Sequence, residues 1–286
     1  MWLLLALGSS VFAALNSILA KMGLSNLKSN FATALRTCVV FIFGWIVAAV
    51  SSGFSQLANL NGHDLVFLIL SGIATGISWL AYYHALQQGP VDQVVAIDKS
   101  STILTILIAF LFLSEPVSWL KGIGTVLIGI GTFLTISLQK GDAKKGEGHS
   151  WLFWAVISAI AASATSILAK VGLQNIDSNL ATAIRTTVVL IFAWIMTFVS
   201  DGKPNFGNVT KRDAIYLTLS GLATGMSWLM YYAALQQGQA SVVVSIDKLS
   251  VVLTTILAWI IWKEKVSAKK IGGLVLLTAG TMLMIL

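Results

Sequence analysis

The chain has 286 residues, of which 57% are hydrophobic and only 10% charged, with a mean hydropathy of +0.87. An ordinary soluble domain carries roughly 25% charged residues, so a water-soluble globule is excluded, as are disordered, collagen-like and disulfide-rich classes. The formal charge of +7 does not indicate a nucleic-acid partner, because most cations stand in short connectors and form no basic face interleaved with aromatics.

In chain order, apolar segments cover about 2–22, 30–51, 64–86, 91–112 and 117–138. A polar stretch, 139–150 (QKGDAKKGEGHS), follows, and then segments at about 151–171, 179–200, 213–235, 240–262 and 267–286. Each approximates the ~20 helical residues that cross a hydrocarbon core. Lipid requires every backbone polar group to be bonded internally, and the runs are too long and evenly apolar for barrel strands, so helices are expected. The first segment lacks a basic leader and has a counterpart in mid-chain, so it is read as a span and not as a cleaved signal peptide. Cys38 lies in an apolar run with no partner cysteine and says nothing about redox compartment.

The pattern is written twice. Residues 71–90 read SGIATGISWLAYYHALQQGP and residues 220–239 read SGLATGMSWLMYYAALQQGQ, with 15 of the 20 positions identical. The same offset of 149 aligns SILAK ending at Lys21 with SILAK ending at Lys170, ATALRT around Arg36 with ATAIRT around Arg185, and AIDKS around Asp98 with SIDKL around Asp247. The expected organisation is a five-span repeat over 1–138, a polar linker over 139–150 and a second repeat over 151–286. A unit with an odd number of spans begins and ends on opposite faces, so the second copy must enter the membrane upside down. The fold class expected is therefore an all-α integral membrane protein of ten transmembrane helices, arranged as two inverted five-helix repeats.

The order of these features resembles the drug/metabolite transporter superfamily, in its EamA-type branch of ten-span proteins. Each half carries an arginine opening its second span (Arg36, Arg185) and a Gly-rich, aromatic third span. An acidic turn closes each fourth span, LSEPVS at Glu115 and WKEKVS at Glu264, before a Gly-rich fifth span. The resemblance covers essentially the whole chain. It implies a secondary transporter, often an exporter of amino acids or other small metabolites, with a cavity between the halves. The two halves are more alike than is usual in the branch, as in a recent fusion of two small five-span proteins.

Ionisable residues inside spans are costly and functional by default. Lys21, Arg36, Asp98 and Lys99 fall in one leaflet half along the first copy, together with Trp79, Tyr82 and Tyr83. Their counterparts Lys170, Arg185, Asp247, Lys248, Trp228, Tyr231 and Tyr232 fall in the other. Two similar charged-aromatic clusters are thus expected, one toward each membrane face, flanking a midplane site as gates. Asp98 and Lys99 are neighbours in sequence and do not face each other on a helix, so Arg36 is the expected partner of Asp98. Static stapling, with Lys21 and Lys99 snorkelling to the interface, and direct substrate or proton binding are the alternatives.

Polar stripes complete the candidate cavity: Ser71, Thr75, Ser78 and Tyr82 on span three, Asp98, Ser101 and Thr105 on span four, Asp247, Ser250 and Thr254 on span nine. Helix packing by hydroxyls and interfacial aromatic belts are the bland readings of these stripes. Asn16 and His84 break the symmetry, standing opposite Thr165 and Ala233; Asn16 is a cavity candidate and His84 a candidate for proton coupling. Gly72 and Gly76, with Gly221 and Gly225, follow the small-xxx-small pattern of close helix contact, and the glycines of spans five and ten read as packing surfaces outside the cavity.

Lys28, Lys140, Lys144, Lys145, Lys203, Lys211, Arg212, Lys263, Lys265, Lys269 and Lys270 all lie in connectors after odd-numbered spans, and little beyond Lys121 follows the even ones. The positive-inside rule then places the linker in the cytoplasm and both termini outside, with the inner membrane as location. No enzyme site, phosphate loop, cofactor motif or metal-ligand cluster is visible. The reading is an exporter of a small organic metabolite by alternating access, with membrane lipid and a second copy of the chain as further candidate partners. A lipid or lipid-precursor flippase and a channel-like or non-transporting membrane protein are the alternatives.

Overall fold

The computed structural model of the chain describes residues 1–23, 27–51, 55–58, 60–88, 91–136, 150–263 and 266–286. The linker over 139–149, with Lys140, Lys144 and Lys145, lies outside the described residues, as do Glu264, Lys265 and the side chain of Tyr83. Among the described residues there is no strand. Thirteen α-helices follow one another: α1 (Trp2–Gly23), α2 (Ser29–Ser51), α3 (Ser55–Ala58), α4 (Gly62–Gln88), α5 (Val91–Lys99), α6 (Ser101–Phe112), α7 (Trp119–Thr135), α8 (Ser150–Gly172), α9 (Ser178–Met196), α10 (Lys211–Gln237), α11 (Ala240–Asp247), α12 (Leu249–Trp262) and α13 (Ala268–Ile285). A π-helical turn, Thr197–Asp201, prolongs α9.

Among the described residues, eight segments are long and apolar enough to cross a membrane: α1, α2, α4, Gln93–Phe112, Trp151–Gly172, Ser178–Asp201, Ala240–Trp262 and α13. Helix α7 is apolar but shorter, and α10 opens on Lys211, Arg212 and Asp213 and is diluted by Ser, Thr, Gly, Tyr and Trp. Spans four and nine are each divided, at Ser100 and at Lys248, which the hydropathy pattern does not reveal.

Burial is inverted relative to a soluble protein. Small residues crowd the interior, among them Ala14, Ala34, Ala85, Ala155, Ala183 and Ala234, beside larger ones such as Leu68, Ile106 and Leu235, whereas Leu4, Ile46, Val50, Phe112 and Trp119 are exposed. Lipid tails are as apolar as leucine, so helices associate by close backbone approach and not by hiding large side chains. Many hydroxyls within the helices are satisfied locally, among them Thr37 on Thr33 O, Thr75 on Ser71 O and Thr182 on Ser178 O.

Helices of the first half pack mainly on helices of the second. The pairings come in exchange-related sets: α1 on α10 and α8 on α4, α2 on α10 and α9 on α4, α2 on α9, α7 on α13. The pairs α1/α10, α4/α8, α2/α9 and α7/α13 run antiparallel, whereas α2/α10 and α4/α9 run parallel, Gly221 and Gly225 meeting Val39 and Phe43, and Gly72 and Gly76 meeting Val188 and Phe192. On α1 and α10, Ser9 meets Ser227 while Asn16 meets Ser220; on α4 and α8, Ser71 meets Thr165 while Ser78 meets Ser158. On α2 and α9, Trp45 Nε1 donates to Thr187 Oγ1 at 3.1 Å and Asn179 Nδ2 to Ser51 Oγ at 3.1 Å, while Asn30 and Phe31 N donate to Asp201.

The glycines sit where these crossings are tightest. An added Cβ on Gly72 would lie 2.7 Å from Val188 Cβ, and one on Gly221 2.7 Å from Val39 Cβ, the same contact in exchanged halves. One on Gly131 would lie 2.5 Å from Leu277 N and 2.7 Å from Gly273 O, whereas Gly122 faces open space. We therefore expect Gly131→Leu to destabilise the protein by about 1–3 kcal/mol through overpacking against backbone and Gly122→Leu to be neutral. Melting temperatures of the detergent-purified variants check this; equal losses at both positions would contradict the packing.

Candidate functional site

A cavity of about 560 Å³ lies between the halves. Its lining brings together most of the residues singled out from the sequence: Asn16, Arg36, Trp79, Tyr82, Asp98, Lys99, Ser101, Trp228, Tyr231, Tyr232, Asp247 and Lys248. Asn30, Thr33, Thr102, Ser166, Thr224 and Ser227 also line it. Ser250 is half-buried and not among the lining residues.

The expectation of two separate clusters, one toward each face, is corrected here. Both Asp–Lys pairs line the same cavity, and Asp247 lies within electrostatic reach of Lys99 as well as Lys248, with Lys248 in turn within reach of Asp98. Depth counted along a span missed this, because the two divided spans approach each other between the halves, α11 packing on α6.

The partners of Asp98 also differ from expectation. Ser158 Oγ donates to Asp98 Oδ1 at 2.8 Å, and Lys99 Nζ stands 3.8 Å from Asp98 Oδ2. The division of the helix at Ser100 and the length of the lysine side chain let sequence neighbours pair. Arg36 instead donates through Nη1 to Asn16 Oδ1 at 3.1 Å, and the same oxygen accepts from Ser220 Oγ at 2.6 Å.

Fully buried serines of the opposite half stand beside both aspartates: Ser158 Oγ donates to Asp98, and Ser9 lies close to Asp247. Those serines bond onward to Ser78 and Ser227 respectively. Sequence reading passed over Ser9 and Ser158. Their signal was available, since both occupy the same repeat position, but serines in apolar helices usually serve packing.

Equivalent residues do not share equivalent surroundings. Arg36 lines the cavity, whereas Arg185 is 1% exposed and sits behind it, Nε donating to Ser71 Oγ at 2.8 Å and Nη2 to Thr75 Oγ1 at 2.6 Å. Its guanidinium lies over the rings of Tyr232 (4.6 Å) and Trp228 (5.7 Å). Lys170 Nζ donates to Leu235 O at 2.6 Å and Gly238 O at 2.7 Å, closing the C-terminus of α10. Lys21 is exposed and lies over the Trp262 ring at 4.3 Å. His84 is set apart from the cavity, bonded to Gln88 at 2.8 Å and edge-on to Trp154.

The end fastened by Lys170 holds a second assembly that the sequence showed only as a turn motif. Buried Glu115 accepts from the backbone N–H groups of Ala240 and Ser241 and from Ser241 Oγ, at the N-terminus of α11. Lys121 donates to Gln239 Oε1 and to Pro116 O at 3.2 Å. The connector between α10 and α11 is thus clamped from three sides. Glu115→Ala leaves two buried N–H groups without acceptors and is expected to lower stability by about 1–3 kcal/mol, with Glu115→Gln milder. Thermal unfolding in detergent reads the difference, and an unaltered melting temperature for the alanine variant would remove the clamp.

Comparison with known proteins follows the same lines. The model of the EamA-like transporter family matches residues 1–137 and again 149–286. The "Uncharacterized transporter in cobO 3'region" of Sinorhizobium sp is 38% identical over 133 residues, which are 46% of this chain and 94% of that protein. An uncharacterized transporter of Synechocystis sp. is 24% identical over 237 residues, 78% of this chain and 66% of that protein. A solved crystal structure superposes with a TM-score of 0.79 at 14% identity, covering 98% of this chain and 94% of its own, which shows a shared fold. The chain is a multi-pass membrane protein that belongs to the EamA-like transporter family, within the drug/metabolite transporter superfamily.

Proposed function

We propose that the protein is a secondary transporter of ten spans, two inverted five-helix repeats, that exports a small organic metabolite such as an amino acid or a related amphipathic solute by alternating access. The observation that carries this reading is the unlike treatment of like residues. Asn30, Thr33 and Arg36 line the cavity, while Thr182 and Arg185 at the equivalent positions are buried and Asn179 is tied to Ser51. A molecule whose similar halves adopt two different arrangements has a second state available in which they exchange them.

The antiparallel helix pairs support the inverted arrangement, and α7 and α10 supply the two spans beyond the eight. The Sinorhizobium relative supports it too, since a protein of which 133 residues are 94% is about half as long as this chain and corresponds to one repeat. The cavity reaches the first turns of α2, at the end that also carries Lys28, Lys203, Lys211, Arg212, Lys263, Lys269 and Lys270. The positive-inside rule makes that end cytoplasmic. The state described is then the one that loads solute from the cytoplasm of a cell bounded by this inner membrane, with both termini outside, consistent with export.

Reconstitution into liposomes tests the reading. Saturable counterflow of a solute, from a mixture of amino acids, amines and organic acids followed by mass spectrometry, is the expected result. Scrambling of labelled lipid or unsaturable conductance would replace the reading with a flippase or a channel. Asp98→Asn and Asp247→Asn are each expected to slow counterflow by about tenfold or more with the melting temperature unchanged. Full transport in both variants would assign the Asp–Lys pairs to static stapling.

A further inference from the structure

Arg185 presents a charge that the fold leaves uncompensated. Its Nη1 has no hydrogen-bond partner among the described residues, and no carboxylate pairs with it there. Its two bonds go to neutral hydroxyls, of Ser71 and Thr75. A buried guanidinium surrounded by neutral oxygens and rings is among the least favourable placements of charge in a low-dielectric interior. A buried polar group without a partner calls for an explanation in function or in a missing ligand.

The surroundings indicate what would compensate it. Trp228 and Tyr232, on which Arg185 rests, are themselves part of the cavity wall. Arg36, its equivalent, stands in that wall directly. Among the described lining residues, Arg36, Lys99 and Lys248 face two carboxylates, and each carboxylate already has a buried serine and a lysine within reach. A cationic solute would meet an excess of like charge, whereas a carboxylate would meet guanidinium forks suited to bind it two-pronged. The tryptophans and tyrosines of the cavity wall, two of them beneath Arg185, offer flat apolar surface to the rest of such a solute.

Resting on the transporter reading, we propose that the transported solute is an organic carboxylate with an apolar or aromatic body. Its carboxylate is received by Arg36 in the state described here and by Arg185 in the opposite-facing state. Separation of α9 from α4 frees Arg185 from Ser71 and Thr75 and turns its unfilled Nη1 toward the newly opened crevice. Arg36 is taken out of the crevice in the same movement. The two arginines therefore act in turn, one for loading and one for release.

The test uses three probes sharing one benzyl body: N-acetylphenylalanine (anion), N-acetylphenylalaninamide (neutral) and phenylalaninamide (cation). Titration of the tryptophan fluorescence of the full-length protein in detergent should show the anion binding at least about tenfold more tightly than the others. Equal or tighter binding of the amide or the cation, or no binding of any probe, overturns the proposal. In membrane vesicles of each orientation, Arg36→Gln should raise the apparent KM for N-acetylphenylalanine about tenfold or more at the face where α2 begins, and Arg185→Gln at the opposite face. Equal effects of both variants at both faces overturn the alternation, and the charge-conserving Arg36→Lys and Arg185→Lys, with partial loss at the same faces, separate binding from misfolding. Saturable counterflow of amines alone would leave the transporter reading standing and refute this one. Anion-selective binding without counterflow of any solute would refute the transporter reading, and the alternation with it, while leaving the carboxylate preference of the cavity standing.

Discussion

A hydrocarbon interior offers nothing to solvate a charge, so the ionisable groups of the spans have to be met by the protein itself. Here they are met across the seam between the halves. Asp98 of the first half is bonded by Ser158 of the second, and Ser9 of the first half lies close to Asp247 of the second. Arg185 is held by Ser71 and Thr75, and Ser220 shares the Asn16 oxygen that holds Arg36. Asp98 and Arg185 each depend on hydroxyls supplied by the other half. The polar interior is a property of the pair, and the cavity forms where the two sets of charges face one another.

That arrangement also explains why near-duplicates are not used alike. At the end where α10 meets α11, Lys170, Glu115 and Lys121 bind a single connector, and Trp2 lies against Gly238 with no room for a Cβ. At the other end Lys21, the equivalent of Lys170, lies exposed over the Trp262 ring, and the first turns of α2 line the cavity. The sequence differences between the copies lie close to this contrast: Asn16, opposite Thr165, supplies the amide oxygen that engages Arg36, while Thr165 offers Ser71 a backbone carbonyl. A side chain able to accept two hydrogen bonds at that place favours an arginine at the cavity wall, and a threonine leaves its arginine to the hydroxyls of α4.

Much of the fold was legible in the linear pattern. Every apolar segment is helical, with ends within a few residues of those read from hydropathy, because segment length is dictated by bilayer thickness. That Gly72 and Gly221 sit at close helix contacts was legible in their small-residue spacing, but Val188 and Val39 as the residues they meet were not. Less was legible of the site. The divisions at Ser100 and Lys248 involve single turn residues without Pro or Gly, so no local signal marks them. Asp98 paired with Lys99 and Ser158 in place of Arg36, because which residues meet across helices depends on how the helices are rotated, and periodicity within one helix does not state that.

From the sequence alone came the duplication, the membrane solvent, the odd number of segments per unit and the short set of residues able to carry chemistry inside lipid. These are one-dimensional properties: composition, spacing and repeat offset. Only the tertiary structure decided that both Asp–Lys pairs share one cavity, that Arg36 stands in its wall while Arg185 is sealed behind it, and that His84 lies apart against Trp154. Depth along a span can be counted from the chain, but azimuth about the helix axis and the crossing of one half over the other are set by packing between segments distant in sequence.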